Sequence, residues 1–138
     1  MKQFFLLAAL ICFGVAALKL CTARMRSNYS GGEQRKCAAL LSAEEAKERL
    51  EANPAVILLD VRSQEEYDGG HIPGAVCLPN EDIQADLPLP FDKDAELLVY
   101  CRSGRRSAEA AEKLAAMGYT NVADFGGIQD WPYETTAE

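Results

Sequence analysis

The stretch LLVYCRSGRRS, residues 97–107, joins an apolar run to a cysteine and a loop rich in arginine. An apolar run without polar alternation is typical of a strand buried on both faces of a parallel sheet. After Ser107 the spacing becomes helical, and the residues at 108, 111, 114 and 115 are predicted to face inward. The stretch therefore predicts a strand, a tight loop and a helix that runs from about Ser107 to Met117 and ends at Gly118.

The segments on either side extend this alternation of strands and helices. Further strands are predicted at residues 37–41, 56–60, 75–78 and 121–125. Capping boxes at Ser42/Glu45 and Ser63/Glu66 predict the starts of two helices, and residues 80–96 are predicted to form a short helix and a loop. Together these elements predict an α/β three-layer sandwich, with a five-stranded, mostly parallel sheet flanked by helices.

Composition limits the classes of function. The chain has 138 residues, which indicates one domain, and 49% of them are hydrophobic, as in ordinary globular proteins. Its net charge of −7 argues against a nucleic-acid partner, because phosphate binding needs a basic face. The five cysteines form no C-x-x-C pair and there is one histidine, so neither a disulfide framework nor a metal site is predicted.

The N-terminus differs from this average composition. Residues 4–18 carry no charge, a length that suits a signal peptide and falls short of the usual membrane span of roughly 20 residues. Two interpretations stay open: residues 1–23 are a cleaved signal peptide, or they remain as a membrane anchor through residues 4–20. Either predicts an exported or membrane-associated protein of the cell envelope and leaves the side of the membrane open. Residues 24–35 are polar and predict a linker before the domain.

Cys101 is the candidate nucleophile. It is predicted to lie at the carboxyl end of a strand, where open α/β sheets bind ligands. A helix that begins a few residues later supplies free N–H groups and partial positive charge, and the loop arginines add full charges. Such surroundings typically lower a cysteine pKa from about 8.5 to roughly 3.5–7.5. The alternative is a packed structural cysteine with solvated arginines beside it.

The loop after Cys101 is predicted to form an anion cradle. Gly104 allows the backbone to curl so that successive N–H groups face inward. Cysteine-type phosphatases use C-x5-R, which would need arginine at residue 107, where this chain has serine. The shorter loop favours a smaller bound group, such as one extra sulfur atom on the cysteine. The predicted cradle comprises Arg102, Ser103, Gly104, Arg105, Arg106 and Ser107.

Three motifs carry a family resemblance. CRSGRRS, residues 101–107, resembles the active-site loop C-R-x-G-x-R of the rhodanese family of sulfurtransferases. LLDVRSQEEYDGGHIPGA, residues 58–75, is similar to that family's D-V-R…E-E-Y…G-H-I-P-G-A pattern, and GGIQDWP, residues 126–132, resembles its closing G-G-x-x-x-W. The resemblance covers residues 36–134. It implies the rhodanese-like fold and transfer of sulfane sulfur from a donor such as thiosulfate through a persulfide on Cys101, without a cofactor.

Several residues near these motifs have supporting or structural interpretations. Asp60 and Arg62 end the second strand and are expected to orient the cysteine loop through charged hydrogen bonds; alternatively Arg62 pairs with Glu66 and stabilises the local turn. His71 is interpreted as structural, because an ionised thiolate needs no base. Cys77 is interpreted as a packed strand residue, with a resolving thiol as the alternative. Trp131 is expected to cap the core.

The expected partners follow from this chemistry. They are a small-molecule sulfur donor, a thiol or cyanide acceptor, and, as a further option, a protein sulfur acceptor; the chain itself is expected to be a monomer. A persulfide carrier or interaction module is the main alternative function. A phosphatase or arsenate reductase is a third function, which the length of the loop disfavours.

Overall fold

The structure, a computed structural model, describes residues 38–138. The predicted signal peptide or anchor at residues 1–23, the linker at residues 24–35 and Cys37 lie outside the described residues. Among residues 38–138 there is no helix with the length and apolar character needed to span a bilayer.

The described residues form strands that alternate with helices. The strands β1 to β5 span Ala39–Leu40, Ile57–Asp60, Val76–Cys77, Glu96–Cys101 and Asn121–Gly127. The helices α1 to α3 span Ala43–Ala52, Gln64–Asp68 and Arg105–Ala116, and short 3-10 turns cover Asn80–Asp82 and Ile128–Asp130. The five strands form one sheet in the order β1-β5-β4-β2-β3, and all four neighbouring pairs are parallel. The predicted α/β class and five-stranded parallel sheet are confirmed.

The sheet separates two apolar layers, and β4 lies in the middle of it. Leu97, Val99 and Cys101 of β4 pack on the face covered by α3, whereas Leu98 and Tyr100 pack on the face covered by α1. All five side chains are at most 1% exposed, as the apolar run predicted. Since burial of a large apolar side chain is worth about 1.5–3 kcal/mol, this strand anchors the fold.

Both predicted capping boxes are present. The Ser42 hydroxyl accepts from the Glu45 N–H, and the Glu45 carboxylate accepts from the Ser42 N–H. Ser63 and Glu66 make the corresponding pair at the start of α2. Each cap satisfies N–H groups that have no partner inside the helix, which is typically worth about 1 kcal/mol.

Several predicted elements differ in extent or orientation. β1 and β3 each have two residues, and the helix predicted within residues 80–96 is a single 3-10 turn. α3 begins at Arg105, two residues before the predicted start, and its inward face includes Ser107 and Ala110, whereas Ala108 is exposed. The alanine-rich sequence of α3 suits more than one helical face. The inward face includes Ser107 because its hydroxyl donates to nearby backbone carbonyls.

Candidate active site

Cys101 is the last residue of β4, at the carboxyl edge of the sheet. It is 1% exposed, and α3 begins four residues later, so its position relative to strand and helix is as predicted. Gly104 has a φ of 97°, a left-handed conformation that glycine adopts without strain. This turn brings the Gly104 N–H to 3.0 Å from the Cys101 Sγ. The loop therefore folds back over the sulfur and donates to it.

Hydrogen bonds lower the pKa of the Cys101 thiol. Burial alone raises this pKa, but hydrogen bonds from the Ser107 hydroxyl and from the N–H groups of Ser107, Ser103 and Gly104 outweigh it, and the pKa is lowered from its ordinary value. A group that is hydrogen-bonded more strongly as an anion ionises more readily. The N–H groups of the loop and of the first turn of α3 thus favour the thiolate form of Cys101.

The end of β5 packs against the loop that follows Cys101. The Ser107 hydroxyl lies 3.0 Å from the carbonyl oxygen of Gly104 and 3.1 Å from that of Gly126, so it bridges the loop and the strand. A Cβ added to Gly127 would collide with the carbonyl oxygen of Arg102 and lie 2.6 Å from the Cα of Ser103. The loop backbone therefore rests directly on Gly127. This support was not predicted, although the Gly-Gly pair was visible in the sequence.

The three arginines of the loop have different environments. Arg102 and Arg105 are exposed, and neither guanidinium makes a hydrogen bond within the described part of the chain. Arg106 is half-buried and donates to both carboxylate oxygens of Glu66, at 2.7 and 3.0 Å. The expectation that three cations together surround the thiol is thus modified: one of them is already paired with a carboxylate on α2.

Asp60 ends β2 at the same sheet edge as Cys101, but it is in register with Tyr100 and therefore faces away from Cys101, and it bonds to Arg62. Asp60 pairs with Tyr100 in the β2–β4 ladder, so the two strands end at the same edge of the sheet. The Arg62 side chain donates to both oxygens of Asp60 and to the carbonyl oxygen of Gly70. The expectation that this pair contacts the cysteine loop is not borne out by these bonds. The alternative Arg62–Glu66 pair is also wrong, since the carboxylate of Glu66 bonds to Arg106.

The other singled-out residues have structural surroundings. His71 stacks on the Tyr67 ring with centroids 3.7 Å apart, and its backbone pairs with Thr136 in an isolated bridge. Trp131 is buried against Phe125, as expected for a residue that caps the core. Residues 38–138 contain no group of three or more histidine, cysteine, aspartate or glutamate side chains arranged to hold a metal ion.

Cys77 lies on the far side of β2 from Cys101. It pairs with Asp60, whose other neighbour is Tyr100, so it is two strands from β4, or about 10 Å across the sheet. Residues at one register share a face, so Cys77 lies on the Tyr100 face, opposite Cys101. Burial and the nearby Asp60 raise the pKa of its thiol. These features favour the packed-strand interpretation.

Comparisons with known proteins agree with this geometry. The sequence model of the rhodanese-like domain matches residues 42–133. The chain is 38% identical over 73 residues to the thiosulfate sulfurtransferase PspE of Escherichia coli (strain K12), covering 52% of this chain and 70% of PspE. It is 36% identical over 92 residues to a sulfurtransferase of Allochromatium vinosum, covering 66% of this chain and 85% of that protein.

A solved structure leads to the same family. The human single-domain sulfurtransferase TSTD1 is similar with a TM-score of 0.63 and 27% identity, over 68% of this chain and 95% of that one. The rhodanese-like domain match covers two thirds of the sequence. The chain belongs to the rhodanese-like domain family, which includes proteins named as sulfurtransferases.

Proposed function

We propose that this chain transfers sulfane sulfur from thiosulfate, or a closely related donor, to a thiophilic acceptor through a persulfide on Cys101. The observation that carries the proposal is the Gly104 N–H 3.0 Å from the Cys101 Sγ, in a loop whose other N–H groups also lower the thiol pKa. A persulfide ends in an anionic sulfur that needs such donors. The name of the relative PspE, a thiosulfate sulfurtransferase, supports the choice of donor.

The first half-reaction uses the thiolate as a nucleophile. The Cys101 sulfur attacks the outer sulfur of thiosulfate, an S–S bond forms to the cysteine, and the S–S bond of thiosulfate breaks. Sulfite leaves with the electron pair of that bond, and the cysteine persulfide carries the single negative charge that the thiolate had. No proton has to move, which agrees with the structural position of His71.

The second half-reaction returns the enzyme to its starting state. A nucleophilic acceptor, cyanide or a thiolate, attacks the terminal sulfur of the persulfide and leaves Cys101 as the thiolate. The loop N–H groups stabilise the sulfur anion in both steps, as preorganised donors do for developing charge in other group transfers. The two half-reactions share one site, so ping-pong kinetics are expected.

Electrostatic attraction of the donor is assigned to Arg102 and Arg105. Both guanidinium groups are exposed beside Cys101, on a chain with a net charge of −7. A local cationic patch raises the concentration of a dianionic donor near the thiol, and added salt screens this effect. Thiosulfate turnover should therefore fall as ionic strength rises.

Intact mass spectrometry of the full chain after incubation with thiosulfate tests the proposal. We expect the wild type and Cys77→Ser to gain one sulfur atom, located by fragmentation on Cys101, and Cys101→Ser to gain none at residue 101. Cyanide should then remove the sulfur as thiocyanate. A sulfur gain that survives the Cys101→Ser change, or no gain in the wild type, would contradict the proposal.

Steady-state turnover separates the proposal from its alternatives. A persulfide that forms but yields negligible thiocyanate would favour a carrier that delivers sulfur to a protein. Release of phosphate from a phosphate ester, without persulfide formation, would favour the phosphatase alternative. The shorter cysteine-to-arginine spacing argues against the latter.

A further inference from the structure

Glu66 on α2 and Arg106 on α3 form an ion pair that joins two separate parts of the fold. Two hydrogen bonds, of 2.7 and 3.0 Å, connect the guanidinium to both carboxylate oxygens across 40 residues of sequence. The side chains of Arg106 and Glu66 are 22% and 30% exposed, so the pair is partly shielded from water. A two-point contact of this kind restricts the orientation of the guanidinium more than a single bond would.

Glu66 is itself held in place by the start of α2. Its carboxylate accepts from the Ser63 N–H at 3.3 Å, and its own N–H donates to the Ser63 hydroxyl. Hydrogen bonds from Arg106 lower the pKa of Glu66 to about 2, so the carboxylate is ionised throughout the neutral range. The residue therefore provides a charged contact for Arg106 from a capped helix.

Arg106 transmits this restraint to the cysteine loop. It is the second residue of α3 and lies between Gly104, whose N–H faces the Cys101 sulfur, and Ser107, whose N–H also lowers the pKa of the thiol. A shift of its side chain would displace the turn that carries all these donors. Arg102 and Arg105 have no such tie within the described residues and cannot serve the same purpose.

We propose that Glu66 is a positioning residue for the Cys101 loop, acting through Arg106. Its importance for sulfur transfer rests on the function proposed above, whereas its hold on the loop does not. Because the loop N–H groups stabilise the charge on the transferred sulfur, a loosened loop should slow the chemical step more than it weakens binding of the donor.

The test measures thiosulfate-to-cyanide transfer by the full chain. Glu66→Gln, which keeps the shape and removes the charge, should lower kcat/KM on the order of tenfold, mostly through kcat, as expected when catalytic groups are misplaced. Glu65→Gln is the matched control, since Glu65 is exposed on the same helix turn and should retain wild-type activity.

A double-mutant cycle tests whether Glu66 acts on the Cys101 loop through Arg106. In the Arg106→Gln variant, adding Glu66→Gln should lower kcat/KM little further, because the contact between the two side chains is already lost. Hydrogen–deuterium exchange gives a readout that needs no sulfur donor: uptake by residues 101–110 should rise in Glu66→Gln and stay unchanged in Glu65→Gln.

Each contrary result has a defined meaning. Equal activity of Glu66→Gln and Glu65→Gln, or additive losses in the cycle, would overturn the positioning role. If the wild type transfers no sulfur from thiosulfate, the proposed function fails. The hydrogen–deuterium exchange experiment then still tests the positioning role. Unchanged uptake by the loop in Glu66→Gln would reject the inference about Glu66.

Discussion

Two neighbouring strands, β2 and β4, end at the same edge of the sheet, and each is followed by an arginine that bonds to a carboxylate. After β2, Arg62 bonds to Asp60, two residues away, and the side chains are only 7% and 0% exposed. After β4, Arg106 bonds to Glu66, 40 residues away, with exposures of 22% and 30%. The first pair is local and buried, whereas the second bridges two helices next to the cysteine.

The comparison shows that an arginine–carboxylate ion pair serves two purposes in this fold. The Arg62–Asp60 pair, with its extra bond to the Gly70 carbonyl, satisfies buried polar groups and shapes the turn into α2. The Arg106–Glu66 pair restrains the loop that surrounds a reactive sulfur. We therefore expect damage to the first pair to reduce stability, and damage around the second to reduce activity.

The largest effect is expected at the buried pair. Asp60→Ala leaves the Arg62 guanidinium buried without its carboxylate, so the free energy of unfolding should fall by about 3–5 kcal/mol in urea denaturation. Adding Arg62→Met should recover much of this loss, because no uncompensated charge remains. A loss below about 1 kcal/mol for Asp60→Ala would show that the pair is not a stability element.

The support under the cysteine loop should be nearly as sensitive. In Gly127→Ala the new methyl group would collide with the backbone of Arg102 and Ser103, which must move. We expect a destabilisation of about 1–3 kcal/mol and a loss of activity on the order of a hundredfold. Gly69→Ala is the control, since its added Cβ would make only ordinary contacts with the backbone of Glu65 and Glu66. Wild-type turnover in Gly127→Ala would contradict contact between loop and strand.

A smaller effect is expected at Ser107, whose hydroxyl lowers the pKa of the Cys101 thiol. Ser107→Ala removes a hydrogen bond that lowers the pKa of Cys101, so this pKa should rise and the thiolate fraction at neutral pH should fall. Alkylation by iodoacetamide at pH 7 should slow about three- to tenfold, in line with a hydrogen bond worth about 1 kcal/mol. Ser103→Ala should leave the rate unchanged, because Ser103 contributes through its backbone N–H.

The smallest effect is the pH dependence of the partly buried Glu66–Arg106 ion pair. Glu66 has a folded-state pKa of about 2, below its ordinary 4.5, so its ionised form stabilises the fold above about pH 4.5 and this contribution is lost as the pH falls toward 2. The wild type should exceed Glu66→Gln by at most about 1 kcal/mol at pH 6 in urea unfolding. If the difference in unfolding free energy between the wild type and Glu66→Gln persisted at pH 2, the charge of Glu66 would not be the source of the stabilisation.

Much of the fold could be predicted because its signals are local. The apolar runs before Asp60 and Cys101 became central strands, and Ser–x–x–Glu spacing marked the starts of α1 and α2. The inward face of α3 was harder, since alanines at several positions offer similar packing. Its true face depends on Ser107, whose hydroxyl reaches the carbonyl oxygen of Gly126 only when β5 is in place.

The order of strands and helices, and a cysteine followed by a short arginine-rich loop, were determined by the amino-acid sequence alone. Periodicity, caps and loop spacing act over a few residues and need no knowledge of distant contacts. The pairing of Glu66 with Arg106, and the close contact of Gly127 with the loop, were decided only by the tertiary structure. These contacts join residues that are 25 to 40 positions apart, and they form only when the sheet order brings β2, β4 and β5 to one edge.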